Sequence, residues 1–231
     1  MQFIFEDNIR SLEEKIGYRF KDRSYIEVAL THSSYFNENK EKNEDYERME
    51  FLGDAVLELC VSDHLFRSKK ELKEGELTKL RASLVCEPTL AMCASAFNLK
   101  EYIRLGKGEE NTGGRNRESI ISDVFEALIG AIYLDGGLEC AKKFIEHYVL
   151  EDMYHKIEFV DSKTGLQEYV QEKGQNLSYE IIKESGPAHN REYITAVMIN
   201  GQQIAVGKGR SKKLSEQDGA YKALAILRNR E

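Results

Sequence analysis

The 231-residue sequence predicts a multi-domain chain: an all-α N-terminal domain followed by a small α+β domain of α-β-β-β-α order. Three observations carry that prediction. Apolar residues recur at three- and four-residue spacing through roughly the first 150 positions, with no alternating strand pattern between them. Beyond that point, β-branched residues concentrate in short, partly alternating stretches. Between the last two of these stretches stands Asn200-Gly201, the dipeptide that favours a two-residue hairpin turn.

The helical stretches follow in order. RSYIEVALTHSSYF, EDYERMEFLGDAVLELCVSDHLFRSK, ELTKLRASLV, EPTLAMCASAFNL, ESIISDVFEALIGAIYLDGG and LECAKKFIEHYVLEDMYHKI each carry one apolar face or more. Pro88 after Glu87 marks a start, and Gly136-Gly137 marks a stop. In the tail, TGLQEYVQEKG is a short amphipathic helix closed by Gly174. LSYEIIKESG, REYITAVMIN and QQIAVGKG are the three strands, and SKKLSEQDGAYKALAILRNR returns to helical period with Ser211 as N-cap. The domains are expected at 1–155 and 160–230. Their linker is placed near Glu158–Lys163 by the change of pattern, since no Pro or Gly/Ser run marks it.

Composition narrows the class. The 41% hydrophobic content supports a packed core, and 2 Pro with no low-complexity tract argue against long disordered tails. No window approaches about 18 consecutive apolar residues, and MQFIFEDNIR lacks a basic region followed by an apolar core, so neither a membrane span nor a secretory signal is expected. Cys60, Cys86, Cys93 and Cys140 form no metal spacing and read as small buried side chains of a cytoplasmic protein. The formal charge of −7 is uneven: from Val160 onward 11 Lys and Arg face 9 Asp and Glu, whereas the earlier residues hold 22 against 31. Local clusters, not net charge, must therefore decide any nucleic-acid partner.

The informative cluster is acidic. On a helix, Glu47, Glu50 and Asp54 fall within roughly 60° of one another, while Met49, Phe51, Leu52, Ala55, Val56, Leu57, Leu59 and Cys60 fill the other faces. A helix apolar on nearly all sides is expected to be buried. In SDVFEALIGAIYL, Asp123 and Glu126 share a second face amid apolar neighbours. Either these acids pair with lysines and face water, or the two helices pack and the carboxylates converge. Convergence would be tolerable around a divalent cation, and an all-oxygen set suits Mg²⁺ or Mn²⁺ better than zinc. Glu58 falls on the same face, and helical geometry alone does not exclude it.

ERMEFLGDA resembles the signature of the ribonuclease III family, and SDVFEALIGAIYLDGG resembles that family's second acidic motif. The resemblance extends in order through ALTHSSY, EGELTKLRASLV, LGKGEENTGGRNRESII and the tail, so it covers almost the whole chain. It implies an all-α endonuclease domain followed by a double-stranded RNA-binding domain. It implies Mg²⁺-dependent hydrolysis of double-stranded RNA, leaving 5′-phosphate and 3′-hydroxyl ends, by a homodimer that processes structured precursors such as rRNA and mRNA. By position, Glu50, Asp123 and Glu126 match metal ligands, Asp54 and Glu126 match catalytic acids, and Glu47 matches an accessory acid. Glu58 matches no functional position. The resemblance also puts the close approach of Gly53 at the dimer seam, although an internal helix crossing would satisfy the same glycine.

In the tail, Ser211, Lys212 and Lys213 open the last helix, so two ammonium groups and the positive helix end would point at one phosphate. Thr164 and Gln167 on the first helix suit a wide minor groove lined by 2′-hydroxyls, and Pro187 and His189 supply a third contact. Asp218-Gly219 stands where the family generally has small alanine-like residues, and Gly219 is expected to weaken that helix by about 1 kcal/mol without loss of binding. Arg115 and Arg117 read either as RNA contacts or as part of a plain exposed loop. LGKGEENTGGR lacks the spacing of a nucleotide phosphate loop, and no small-molecule cofactor is expected.

Overall fold

The computed structural model describes residues 2–39, 44–186, 191–209 and 211–228. Contacts divide the chain into two compact units, Met1–Met153 and Tyr154–Glu231. The first unit is helical: α1 (Gln2–Ile16), α2 (Arg23–Ala29), α3 (Ser33–Asn39), α4 (Glu47–Ser68), α5 (Glu74–Val85), α6 (Glu87–Ser95), α7 (Lys107–Asn111), α8 (Glu118–Gly136) and α9 (Leu138–Ile145). Then follow α10 (Met153–Val160), α11 (Ser162–Glu172), strands β1 (Leu177–Ser185), β2 (Glu192–Ile199) and β3 (Gln202–Gly209), and α12 (Lys212–Arg228).

The centre of the first unit is α8. Val124, Phe125, Ala127, Leu128, Ile129, Ala131 and Ile132 are fully buried on it, and α4, α6, α2 and α9 pack around it. Phe125 joins Phe97 and Phe144 in one aromatic group, at ring separations of 5.4–6.2 Å.

Four departures from the sequence reading have local causes. The expected helices begin at Arg23, whereas α1 precedes them and buries Ile9, Leu12 and Ile16 at the spacing of one helical face. The single helix expected over 23–36 is broken where Thr31 forms a bridge with Arg104. That expected over 138–157 ends in a π-helical turn at Glu146–Leu150 and restarts after Asp152, whose φ is 52°. The segment 158–163 is helical on both sides of a turn at Asp161.

The second unit is a three-stranded antiparallel sheet of order β1-β2-β3 with helices on its inner face. Asn200 and Gly201 have φ of 50° and 77°, the pair of positive values that the two-residue hairpin needs. Val197, Ile199, Leu166, Val170, Ala220, Ala223 and Leu224 form its core. Gly219 is required there: a Cβ on it would stand 2.7 Å from Val197, and one on Gly207 would stand 2.2 Å from the Gly219 amide nitrogen. The expected weakening of α12 is therefore offset by close helix–sheet packing. Asp218 adds to the join by accepting from the Lys208 amide at 2.8 Å and from Lys222 Nζ at 2.6 Å.

Candidate metal centre

The acids are positioned by the crossing of α4 and α8. Two glycines set the distance. A Cβ on Gly53 would lie 1.8 Å from the carbonyl oxygen of Glu126, and one on Gly130 would lie 2.4 Å from that of Met49. Each helix thus needs a glycine where the other's backbone passes. The close approach of Gly53 is made to α8 of its own chain, which corrects the expectation of a dimer seam at this residue.

Beside that crossing, Glu50 from α4 and Asp123 and Glu126 from α8 bring one carboxylate oxygen each within 4.8 Å of one another. Asp54 lies one turn further along α4 on the exposed side, and its charge reaches Glu126. Glu47 is exposed in the first turn and outside the three-acid group. Glu58 lies 3.9 Å from Arg81 Nη1 and is likewise outside it. Glu47 and Glu50 occupy the first turn of α4, where the positive helix end favours carboxylates.

Electrostatics express the crowding. Burial, with Asp54, Glu50 and Asp123 adding repulsion, raises Glu126 to about 8. Burial together with Asp123, Glu47 and Asp54 raises Glu50 to about 7. Asp54 and Asp123 are also pushed upward, in both cases chiefly by burial. Carboxyl groups raised in this way are short of positive charge. A hard divalent cation would supply it, and three converging oxygens with no His or Cys among them fit such an ion.

Tyr46, which the sequence reading passed over, closes one side of the cluster. It is 4% exposed, and its hydroxyl donates to Asp123 Oδ2 at 3.4 Å. Burial, then the charges of Asp123 and Glu50, raise this phenol far above its ordinary value. Its place one turn before Glu50 is the signal that was available.

The burial expected around α4 is incomplete. Phe51, Leu59 and Phe66 are 80%, 57% and 74% exposed. Arg115 and Arg117 are braced within the loop they belong to: Arg115 bonds Glu110 and the Lys100 carbonyl, and Arg117 lies 2.7 Å from Glu109.

In the second unit, Ser211 Oγ accepts from the Leu214 amide at 3.1 Å and caps α12, with Lys212 and Lys213 exposed in the first turn. Thr164 and Gln167 are exposed on α11. Pro187 and His189 lie outside the described residues.

A helical unit with crowded carboxylates at a helix crossing is thus followed by a unit of α-β-β-β-α order, and known proteins share both. Residues 162–227 match the double-stranded RNA-binding motif, and residues 22–153 match the family described as ribonuclease-III-like. A ribonuclease 3 of Geobacillus kaustophilus is 48% identical over 227 residues, covering 95% of this chain and 91% of that protein. One from Listeria monocytogenes is 47% identical over 223 residues, covering 95% and 97% respectively. The solved nuclease domain of ribonuclease III from Campylobacter jejuni aligns with a TM-score of 0.58 at 43% identity, over 62% of this chain and 97% of that one. The chain belongs to the ribonuclease III family.

Proposed function

We propose that the protein is an endoribonuclease that uses a divalent cation to hydrolyse phosphodiester bonds of double-stranded RNA. The observation that carries this reading is the meeting of Glu50, Asp123 and Glu126 within 4.8 Å, in a chain that also holds a double-stranded RNA-binding motif. The cation is Mg²⁺, with Mn²⁺ a competent substitute. Glu50, Asp123 and Glu126 hold it. Bound there, it would supply positive charge to shield the phosphodiester, to favour ionisation of the attacking water and to stabilise the leaving 3′-oxygen. Asp54, on the open side, orients the attacking water and takes its proton, while Glu126 acts both in holding the ion and in catalysis. Glu47 contributes negative charge at the mouth of the cluster. The products carry 5′-phosphate and 3′-hydroxyl ends.

Thr164 and Gln167 contact the minor groove, and Ser211, Lys212 and Lys213 contact phosphate, so shape is read more than base sequence. Pro187 and His189 belong to this contact set by position. The functional unit is a homodimer, supported by the apolar stripe on α4 and by the concern of the Campylobacter structure with dimer formation. No helix of the described residues is long and apolar enough to cross a membrane, and we place the protein in the cytoplasm, acting on rRNA and mRNA precursors.

The test is incubation with a uniformly labelled RNA duplex, with and without chelator, followed by sizing and end analysis. Cleavage stops with the chelator. Glu126→Gln abolishes it while duplex binding persists, and unaltered turnover in that variant would sink the site assignment.

A further inference from the structure

Tyr46 stands just before α4 and belongs to neither acidic motif. Its backbone is committed to starting the helix: the amide donates to the Thr31 carbonyl at 3.0 Å, and its own carbonyl accepts from the Met49 and Glu50 amides at 2.8 and 2.9 Å. Its side chain goes elsewhere. The ring is buried against His32, with ring centroids 5.6 Å apart, and the hydroxyl ends at Asp123 Oδ2. His32 is in turn held by Ser34, whose Oγ lies 2.7 Å from His32 Nδ1 and accepts from the Gly106 amide at 2.9 Å. A chain of contacts therefore runs from the loop before α7, through Ser34, His32 and Tyr46, to one oxygen of one acid in the cluster.

The chemistry of that last contact is directional. A carboxylate has two oxygens and turns about its final bond, so an acid in a crowded cluster has several poses. A buried phenol is a donor that finds a partner, and here the partner is a single carboxylate oxygen. At 3.4 Å the contact is long for O–H···O, so its value lies in orientation more than in strength. Hydrogen bonds of this kind to metal-holding groups alter metal affinity by tenfold or more when removed.

We propose that Tyr46 is a positioning residue that fixes the pose of the Asp123 carboxylate for cation binding, with His32 and Ser34 holding its ring in place. The inference rests on the metal reading given above. Tyr46→Phe isolates it, because the ring, its burial and every backbone bond remain and one hydroxyl is lost.

Mn²⁺ binding to the full-length protein is followed by electron paramagnetic resonance, beside the Mg²⁺ dependence of duplex cleavage and thermal melting. The expected result is an Mn²⁺ dissociation constant about tenfold higher. A matching rise is expected in the Mg²⁺ concentration for half-maximal cleavage, with activity recovering as Mg²⁺ is raised and KM for RNA unmoved. A residue serving only the fold would lower the melting temperature and leave the Mn²⁺ affinity alone, and that outcome overturns the proposal. Glu126→Gln is the control. If it weakens Mn²⁺ binding and Tyr46→Phe does not, the positioning role alone fails; if neither does, the metal reading falls and takes the positioning role with it.

Discussion

At the scale of single residues, Glu50 and Glu126 link the site to solution behaviour. Both carboxyls are raised from 4.5, to about 7 and about 8. Between the ordinary value and the raised one, the metal-free folded chain keeps protons that the unfolded chain has released. Folding stability contributed by these groups is thus highest at low pH and is lost as pH rises through that window. Glu126→Gln removes one of them. Melting temperatures of the metal-free protein and the variant should agree near pH 5, and the variant should melt higher by roughly 2–4 °C at pH 8.5. Mg²⁺ at pH 8.5 should raise the unsubstituted protein more than the variant. Differential scanning calorimetry across pH decides it, and a difference that stays flat would refute the electrostatic account. These acids were legible because three- and four-residue spacing placed them on shared faces amid apolar neighbours. Tyr46 was not, because an aromatic at the edge of an apolar run reads as core until its hydroxyl is seen to have a direction.

At the scale of elements, the clearest surprise is α10. From Tyr154 onward it belongs to the second unit, and it is bound there by specific groups. The buried Gln217 amide donates to the Phe159 and Val160 carbonyls at 3.0 and 2.8 Å, so a side chain of α12 caps the end of α10. Tyr221 meets the rings of His155 and Phe159, Ser162 Oγ donates to the Gln217 carbonyl at 2.9 Å, and Arg228 pairs with Glu158. A fragment beginning at Ser162 leaves Gln217 without its two acceptors, a loss of about 1–3 kcal/mol. It should melt roughly 4 °C or more below a fragment beginning at Tyr154. Thermal circular dichroism of the two compares them directly, and equal melting would show that α10 is a bystander. The sequence could not show this helix as part of the second unit, because its anchors, Gln217, Tyr221 and Arg228, lie some sixty residues away. The glycines were similarly half-legible: Gly53 advertised close packing by its cost within a helix, whereas Gly219 read only as a weak point in α12, and the crossing partners, Glu126 and Gly207, tell what comes close.

At the scale of the whole molecule, the open face of α4 is the unresolved energetic fact. Phe51, Leu59 and Phe66 fall within roughly 80° of one another on the helix, and all three are mostly exposed. Three large apolar side chains facing water on one stripe mark an association surface. The stripe borders the acidic face, with Phe51 next but two to Asp54 in the chain, so a second copy seated on it would bring a second set of carboxylates to the same region. This explains why the sequence pattern suggested a helix buried all round: one side is covered by α8 and, in the assembly we propose, the other by a second copy. Replacing Phe51 and Phe66 together with Asp puts charges where the partner would pack, and charge repulsion adds to the lost apolar area. Sedimentation should then give the 26.5 kDa of one chain, against twice that for the unsubstituted protein. Loss of the pair should also uncouple the two strands of a duplex substrate, so that cleavage of both at one locus falls further than nicking of one. An unsubstituted protein that already sediments as a single chain, or a doubly substituted one that remains a dimer, would remove α4 from the interface and require another cover for its aromatic face.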